Sequence, residues 1–235
     1  PEMITALPKS DSFVNLVGVI YASNEPLIAG QMIWIETTGE IQSFDLRLED
    51  LSQGKHTLRN YGIKPKEGVA YQILIKGTDR ANNVSTSDTI KNVLFDITPP
   101  QLVIKSPKSN GPVNHTKLSF NISETIEMGT IRWEAYEGND PKSPHIRSIP
   151  DNQLKEGSYQ DFTFLSPPEL VNGVTYKIII EGTDLAANKS KPMNVDLVLY
   201  DTSPPKFVDI KPIDGEFIRE ADITYTLTED LANGK

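Results

Sequence analysis

Val69-Ala70-Tyr71-Gln72-Ile73-Leu74-Ile75-Lys76-Gly77-Thr78-Asp79 returns as Val174-Thr175-Tyr176-Lys177-Ile178-Ile179-Ile180-Glu181-Gly182-Thr183-Asp184, an offset of 184 − 79 = 105 residues. The residues that follow also match, Arg80-Ala81-Asn82-Asn83 against Leu185-Ala186-Ala187-Asn188. Polarity alternates with period two along Tyr176, Ile178 and Ile180, the pattern of a strand with one face buried. A strand repeated with its closing turn is the signature of a repeated domain, and internal repetition decides the fold before any single motif does.

At the same offset, Asp96-Ile97-Thr98-Pro99-Pro100 returns as Asp201-Thr202-Ser203-Pro204-Pro205, each followed by an apolar run that opens a new unit. A third feature occurs three times: Glu25 five residues before Gly30, Glu124 before Gly129, and Glu229 before Gly234, with Trp34 and Trp133 following the first two. The tryptophans are 133 − 34 = 99 apart. Repeat 2 therefore carries about six extra residues between its Trp and its Tyr, and the loop-forming run Asn139–Pro144 is where they are expected. The units are residues 1–98, 99–203 and 204–235, the last an incomplete start expected to fray or to pack on a neighbour.

Leu118, Phe120 and Ile122, then Ile131, Trp133 and Ala135, then Val195, Leu197 and Leu199 repeat the alternation. Pro and Gly clusters separate these runs, and no stretch of helical length sustains apolar spacing at three and four. The fold class is all-β: tandem immunoglobulin-like (fibronectin-III-like) β-sandwiches of about seven strands each. Trp34 and Trp133 are the expected core anchors. Tyr71 and Tyr176 fit a tyrosine corner, in which the ring is buried and the hydroxyl bonds backbone near the turn.

These residues resemble bacterial Ig-like tandem-repeat domains of large extracellular and surface proteins. What carries the resemblance is a strand ending Gly-Thr-Asp, a short turn, and an Asp-Thr-Thr-Pro-Pro-like linker; Ser123-Glu124 to Gly129-Thr130-Ile131 with Ser143-Pro144-His145 adds to it. It covers two full units and the opening of a third. The chain departs from the pattern at Asn82 and Ala187, where a turn glycine is usual, which puts the left-handed turn in doubt at Ala187 above all. The resemblance implies a rod of domains serving as spacer or adhesin stalk, or an accessory region of a secreted hydrolase or sensor.

In such a sandwich, the loops after the second and sixth strands lie at the end where the chain enters. Repeat 2 thereby gathers Asp96 of the linker, Glu124, and Asp184 with Asn188, oxygen donors of the kind calcium takes in sets of six to eight. Calcium between domains is the expected cofactor, if there is one. The competing expectation is that Asp184 and Asn188 close a tight turn, Asp96 caps the linker and Glu124 is solvated.

The chain has no cysteine, which excludes disulfides and thiolate metal sites. A net charge of −9 opposes nucleic-acid binding. No apolar run is long enough for membrane insertion, and the start at Pro1, without a leader, reads as an internal fragment. His56, His115 and His145 have no ligand-like spacing, and His145 sits in a loop of exposed composition. No Gly-x-Ser-x-Gly or phosphate-cradling motif occurs, so no catalytic residue and no enzyme activity is expected. Tyr61, Tyr136 and Tyr159 would make a sugar platform only if coplanar, and the sequons at Asn83, Asn114, Asn121 and Asn188 depend on the host.

The expected function is a non-catalytic, semi-rigid extracellular spacer or stalk, with Thr98-Pro99-Pro100 and Ser203-Pro204-Pro205 stiffening the joints. Its partners are the neighbouring Ig-like repeats and a surface polysaccharide or protein ligand. The alternatives are a ligand-binding accessory module of a secreted enzyme and the ectodomain of a membrane sensor.

Overall fold

The computed structural model describes residues 1–230, and among them regular structure is almost entirely strand. Gly234, which closes the third Glu–Gly feature, lies outside the described residues.

Repeat 1 contains β1 (Met3–Leu7), β2 (Ser12–Val14), β3 (Gly18–Ser23), β4 (Leu27–Glu36), β5 (Ile41–Asp45), β6 (Gly54–Arg59), β7 (Ala70–Asp79), β8 (Val84–Thr86) and β9 (Ile90–Phe95). One sheet has the order β1-β3-β6, the other β2-β9-β7-β4-β5 with β8 along β7. Repeat 2 contains β10 (Leu102–Ser106), β11 (Pro112–Val113), β12 (Leu118–Ile122), β13 (Ile126–Glu137), β14 (His145–Ser148), β15 (Gly157–Phe162), β16 (Val174–Asp184) and β17 (Met193–Tyr200). Its sheets run β10-β12-β15 and β11-β17-β16-β13-β14. This is the strand order of a fibronectin-III-like sandwich. The first strand of each unit is divided, so that β1 and β10 serve one sheet while β2 and β11 cross over to pair in parallel with β9 and β17.

Alternation in sequence becomes alternation in burial on β7 and β16 but not on β17, where Leu197, at φ 55° beside a register shift, is exposed and Val198 is buried with Val195 instead of Leu197 and Leu199. Tyr71, Ile73 and Ile75 on β7 and Tyr176, Ile178 and Ile180 on β16 point into separate apolar cores, with Trp34 and Trp133 among the largest fully buried side chains. Gly30 faces Gly77 across β4 and β7, and Gly129 faces Gly182 across β13 and β16. A Cβ on Gly77 would come within 2.7 Å of Met3 Sδ, and one on Gly182 within 3.1 Å of the Met128 carbonyl. The repeated glycine thus admits close approach by neighbouring chain in each sandwich.

The tyrosine corners are present in both units. The Tyr71 hydroxyl accepts the Lys66 amide at 2.8 Å, and the Tyr176 hydroxyl accepts the Val171 amide at 2.9 Å. Each hydroxyl donates to a buried carboxylate, Glu36 in repeat 1 (3.2 Å) and Asp140 in repeat 2 (2.7 Å).

Three expectations are corrected. The six extra residues of repeat 2 do not all lie in Asn139–Pro144. Trp34 faces Gln42 and Trp133 faces His145, 8 and 12 residues on, which places four of them in the β13–β14 hairpin. Ser23 faces Gly54 and Ile122 faces Gly157, an offset of 157 − 54 = 103, but Val19 faces Leu58 and Leu118 faces Phe162, an offset of 162 − 58 = 104; one residue therefore enters as a bulge within β15 and the last between β15 and β16. His145 is buried, 7% exposed, because its Nε2 bonds Asp140 Oδ2 at 2.6 Å. The turns after β7 and β16 are left-handed without glycine, with Asn82 at φ 66° and Ala187 at φ 70°.

Beyond residue 203, β18 (Phe207–Lys211) and β19 (Thr224–Leu227) form an antiparallel hairpin. Phe207 stands edge-on to Tyr225 at 5.0 Å, while β18 stays exposed along its length.

Candidate metal centre

The linker between β9 and β10 runs between two sets of polar loop residues. From repeat 1, the Glu67 carboxylate accepts the Ile97 amide at 3.0 Å and the Thr98 hydroxyl at 2.9 Å. Asp96 Oδ1 accepts the Thr98 amide at 3.0 Å, so a local side-chain turn fixes the start of the linker. From repeat 2, Asn188 Nδ2 donates to the Asp96 carbonyl at 2.9 Å.

Asp184 ends β16 and is 1% exposed. Its Oδ1 accepts the Ala186 and Asn188 amides, both at 2.8 Å, and its Oδ2 accepts Asn188 Nδ2 at 2.9 Å. Repeat 1 reproduces this turn, Asp79 accepting from the Ala81 and Asn83 amides and from Asn83 Nδ2 at 2.8 to 2.9 Å. Part of the repeated Asp-to-Asn motif is therefore structural. The Asp184 carboxylate nonetheless has a partner set wider than the turn, because ligand oxygens of Asp96, Glu124 and Asp184 all lie within 4.8 Å of one another.

Three of the four residues read as metal ligands are thus brought together with carboxylate oxygens converging. Asn188 has another part: its Oδ1 accepts Asn15 Nδ2 at 3.0 Å, and its amide ties Asp96 to Asp184. Sequence reasoning missed two residues of the joint, Glu67 and Asn15. Glu67 stands directly before the strand that carries Tyr71, at the end of repeat 1 that meets the linker, and its counterpart Asn172 likewise holds Thr202 (2.6 Å) and Ser203 (2.9 Å).

Crowding of like charge marks the cluster. Burial pushes the Glu124 carboxyl above its usual range, and Asp96, Asp184, Glu67 and Glu156 push it further. Burial also raises Asp96, opposed by the Thr98 amide and reinforced by the Glu67 carboxyl and by Asp184. Burial works against Glu67 as well, but the Ile97 amide and the Thr98 hydroxyl outweigh it and hold Glu67 below its usual range.

Calcium ligand oxygens lie about 2.3–2.6 Å from the ion, so two of them are at most about 5 Å apart. The spacing of the three carboxylates meets that limit, and carboxylate with backbone carbonyl is the donor chemistry of a hard cation.

The histidines are dispersed. His56 lies beside Tyr21 and Asp50, with ring centroids of His56 and Tyr21 5.3 Å apart, whereas His145 is sealed against Asp140 and Tyr176. Tyr61 bonds Asp50 and carries the Arg47 guanidinium 4.5 Å above its ring, Tyr159 stacks on Phe120, and Tyr136 is exposed alone, so the three form no common platform. The Asn83 and Asn188 amides are committed to their turns, and Asn121 Oδ1 is buried.

No protein-family model matches this sequence, and no curated protein sequence does. Solved structures similar to it include a segment of two fibronectin type-III domains from chicken tenascin, at 12% identity and a TM-score of 0.32, covering 83% of this chain and 97% of that one. The fibronectin(III)-like modules of Clostridium thermocellum CbhA give 13% and 0.41, covering 85% of this chain and 94% of that one. A Ca2+-stabilized adhesin that helps an Antarctic bacterium reach out and bind ice gives 12% and 0.38, covering 90% of this chain and 52% of that one. Fibronectin-III-like β-sandwiches, bacterial ones among them, are what this chain is similar to, and its own strand order identifies the fold.

Proposed function

We propose that this chain is a non-catalytic extracellular spacer, a semi-rigid run of fibronectin-III-like repeats whose joint is stiffened by a calcium ion held by Asp96, Glu124 and Asp184. The observation that carries the reading is the convergence of three carboxylates, one from the linker and two from repeat 2, at the boundary between units. A cation there relieves like-charge repulsion and ties the linker to the second sandwich.

Glu67 stands ready as a fourth carboxylate beside Asp96, and Asn188 positions rather than ligates. Thr98-Pro99-Pro100 restricts bending whether or not an ion binds. The partners of the chain are further repeats in line with it and a surface polysaccharide or protein engaged elsewhere in the assembly. Among the described residues no helix is long and apolar enough to cross a membrane.

Thermal unfolding in millimolar calcium against excess chelator tests the ion. A ligand at about 100 times its Kd stabilises the folded state by about 2.7 kcal/mol. Calcium should raise the midpoint of the parent and leave Glu124→Gln, which keeps the Asp184 turn intact, unmoved. Superimposable parent curves remove the cation from the proposal. The spacer itself is tested by small-angle scattering: a maximum dimension that matches two sandwiches end to end supports it, and a collapsed distribution refutes it.

A further inference from the structure

Two Asn-Gly dipeptides lie among the described residues, and the fold treats them oppositely. Asn172 precedes Gly173 in the loop before β16, and every polar atom of its side chain is engaged. Its Oδ1 accepts the Thr202 amide at 2.6 Å and the Thr202 hydroxyl at 2.9 Å, while its Nδ2 donates to Ser203 Oγ at 2.9 Å. The Gly173 amide donates to the Tyr200 carbonyl at 2.8 Å. Asn110 precedes Gly111 in the exposed turn between β10 and β11, at φ 62°. Among the described residues neither the Asn110 side chain nor the Gly111 amide makes a hydrogen bond. The turn is anchored around them instead, by the Asn110 amide to the Asp196 carbonyl and the Leu199 amide to the Gly111 carbonyl, both 3.2 Å.

We infer that Asn110-Gly111 is a spontaneous deamidation site that adds a negative charge to repeat 2, and that the linker-clamping Asn172-Gly173 is protected from the same reaction. The Gly111 nitrogen attacks Asn110 Cγ, its proton passes to water, and the side-chain nitrogen leaves as ammonia, closing a five-membered succinimide. Water then opens the ring at either carbonyl to give aspartate or isoaspartate, so amide and water become acid and ammonia with no other reactant. Gly111 places no Cβ in the path of attack, and the exposed turn reaches the required geometry by local opening. At Asn172 the same approach requires the linker clamp and the Gly173 bond to break first.

The fold already accommodates the aspartate product. Asp11 occupies the equivalent turn of repeat 1, 99 residues earlier, at φ 56°, and Gly215 lies 105 residues later at φ 79°. The Asp11 amide bonds the Lys91 carbonyl at 2.9 Å as the Asn110 amide bonds that of Asp196.

Peptide mapping by mass spectrometry of the full chain, incubated at neutral pH and 37 °C, tests the inference. Asn110 should convert at least about tenfold faster than Asn172, the difference that several hydrogen bonds impose on local opening. In urea the two rates should approach one another. Asn110→Asp should keep the parent's thermal midpoint, and Asn110→Gln should remove the fast conversion. Equal native rates at the two sites overturn the inference, as does an unchanged Asn110 in folded protein whose two sites both convert in urea.

Discussion

Replacing Tyr176 with Phe removes one hydroxyl and leaves the ring. That hydroxyl accepts the Val171 amide at 2.9 Å and donates to Asp140 Oδ2 at 2.7 Å, both in the buried corner of repeat 2. Burial, followed by Asp140, pushes the tyrosine pKa up to about 12, so the hydroxyl is protonated and a donor throughout the neutral range. Loss of a neutral hydrogen bond costs about 0.5–1.5 kcal/mol and of one to a charged group about 1.5–3, so Tyr176→Phe should destabilise repeat 2 by about 2–4 kcal/mol. For a sandwich of this size the midpoint falls by on the order of 10 °C. Tyr71→Phe should cost less, because Glu36 lies farther from the hydroxyl, at 3.2 Å, and keeps Lys66 Nζ at 3.1 Å. Urea titration read by hydrogen exchange on peptides from each repeat separates the two units. A loss below about 1 kcal/mol in Tyr176→Phe, or equal losses in both repeats, would refute the assignment of stability to this pair of bonds.

Ala187→Gly should stabilise repeat 2 by up to about 1 kcal/mol, since φ 70° is strained for Ala and free for Gly; calorimetry checks it, and a lower midpoint contradicts it. Gly182→Ala should cost about 1–3 kcal/mol, because its Cβ would press on the Met128 carbonyl and Ile126 at 3.1 Å; an unchanged urea midpoint would show that the strands separate freely. In chelator, the folded carboxyls of Asp96 and Glu124 are raised, so between their unfolded and folded pKa values the folded chain binds more protons. Their contribution is therefore lost as pH rises through the folded values, and stability should increase on acidification from neutral until the depressed Asp79 and Asp140 begin to protonate. Calcium competes with those protons, so its stabilising shift should shrink over the same descent; a shift independent of pH argues against these ligands.

What could be read in advance was whatever recurs with a period. Strand alternation, the Trp and Tyr anchors and the Asp-to-Asn turn follow from side-chain direction on a strand and from local hydrogen bonding, which neighbouring residues determine. Asp96, Glu124 and Asp184 came together on topology alone, since loops after alternate strands share one end. Glu67 and Asn15 were not legible, because each acts through a contact across the joint that no spacing encodes. His145 was misread for a related reason: the composition of its loop says exposed, and one carboxylate five residues away, Asp140, draws it inside. The division of the six extra residues among a hairpin, a bulge in β15 and the connection before β16 was hidden because an offset between Trp and Tyr sums over everything that lies between them.

The divided first strand has a mechanical consequence. β2 lies parallel to β9, with Ser12, Phe13 and Val14 facing Val93, Leu94 and Phe95, and β11 lies in the same way against β17. The chain enters each sandwich ahead of one of these strands and leaves it after the other. When the two ends are pulled apart, the force runs along the paired strands rather than across them. Their hydrogen bonds then share the load in shear and must fail together, whereas an antiparallel terminal pair would open one bond at a time. A run of such units pulled from its ends would resist extension through these paired strands, while the rest of each sandwich carries little of the strain.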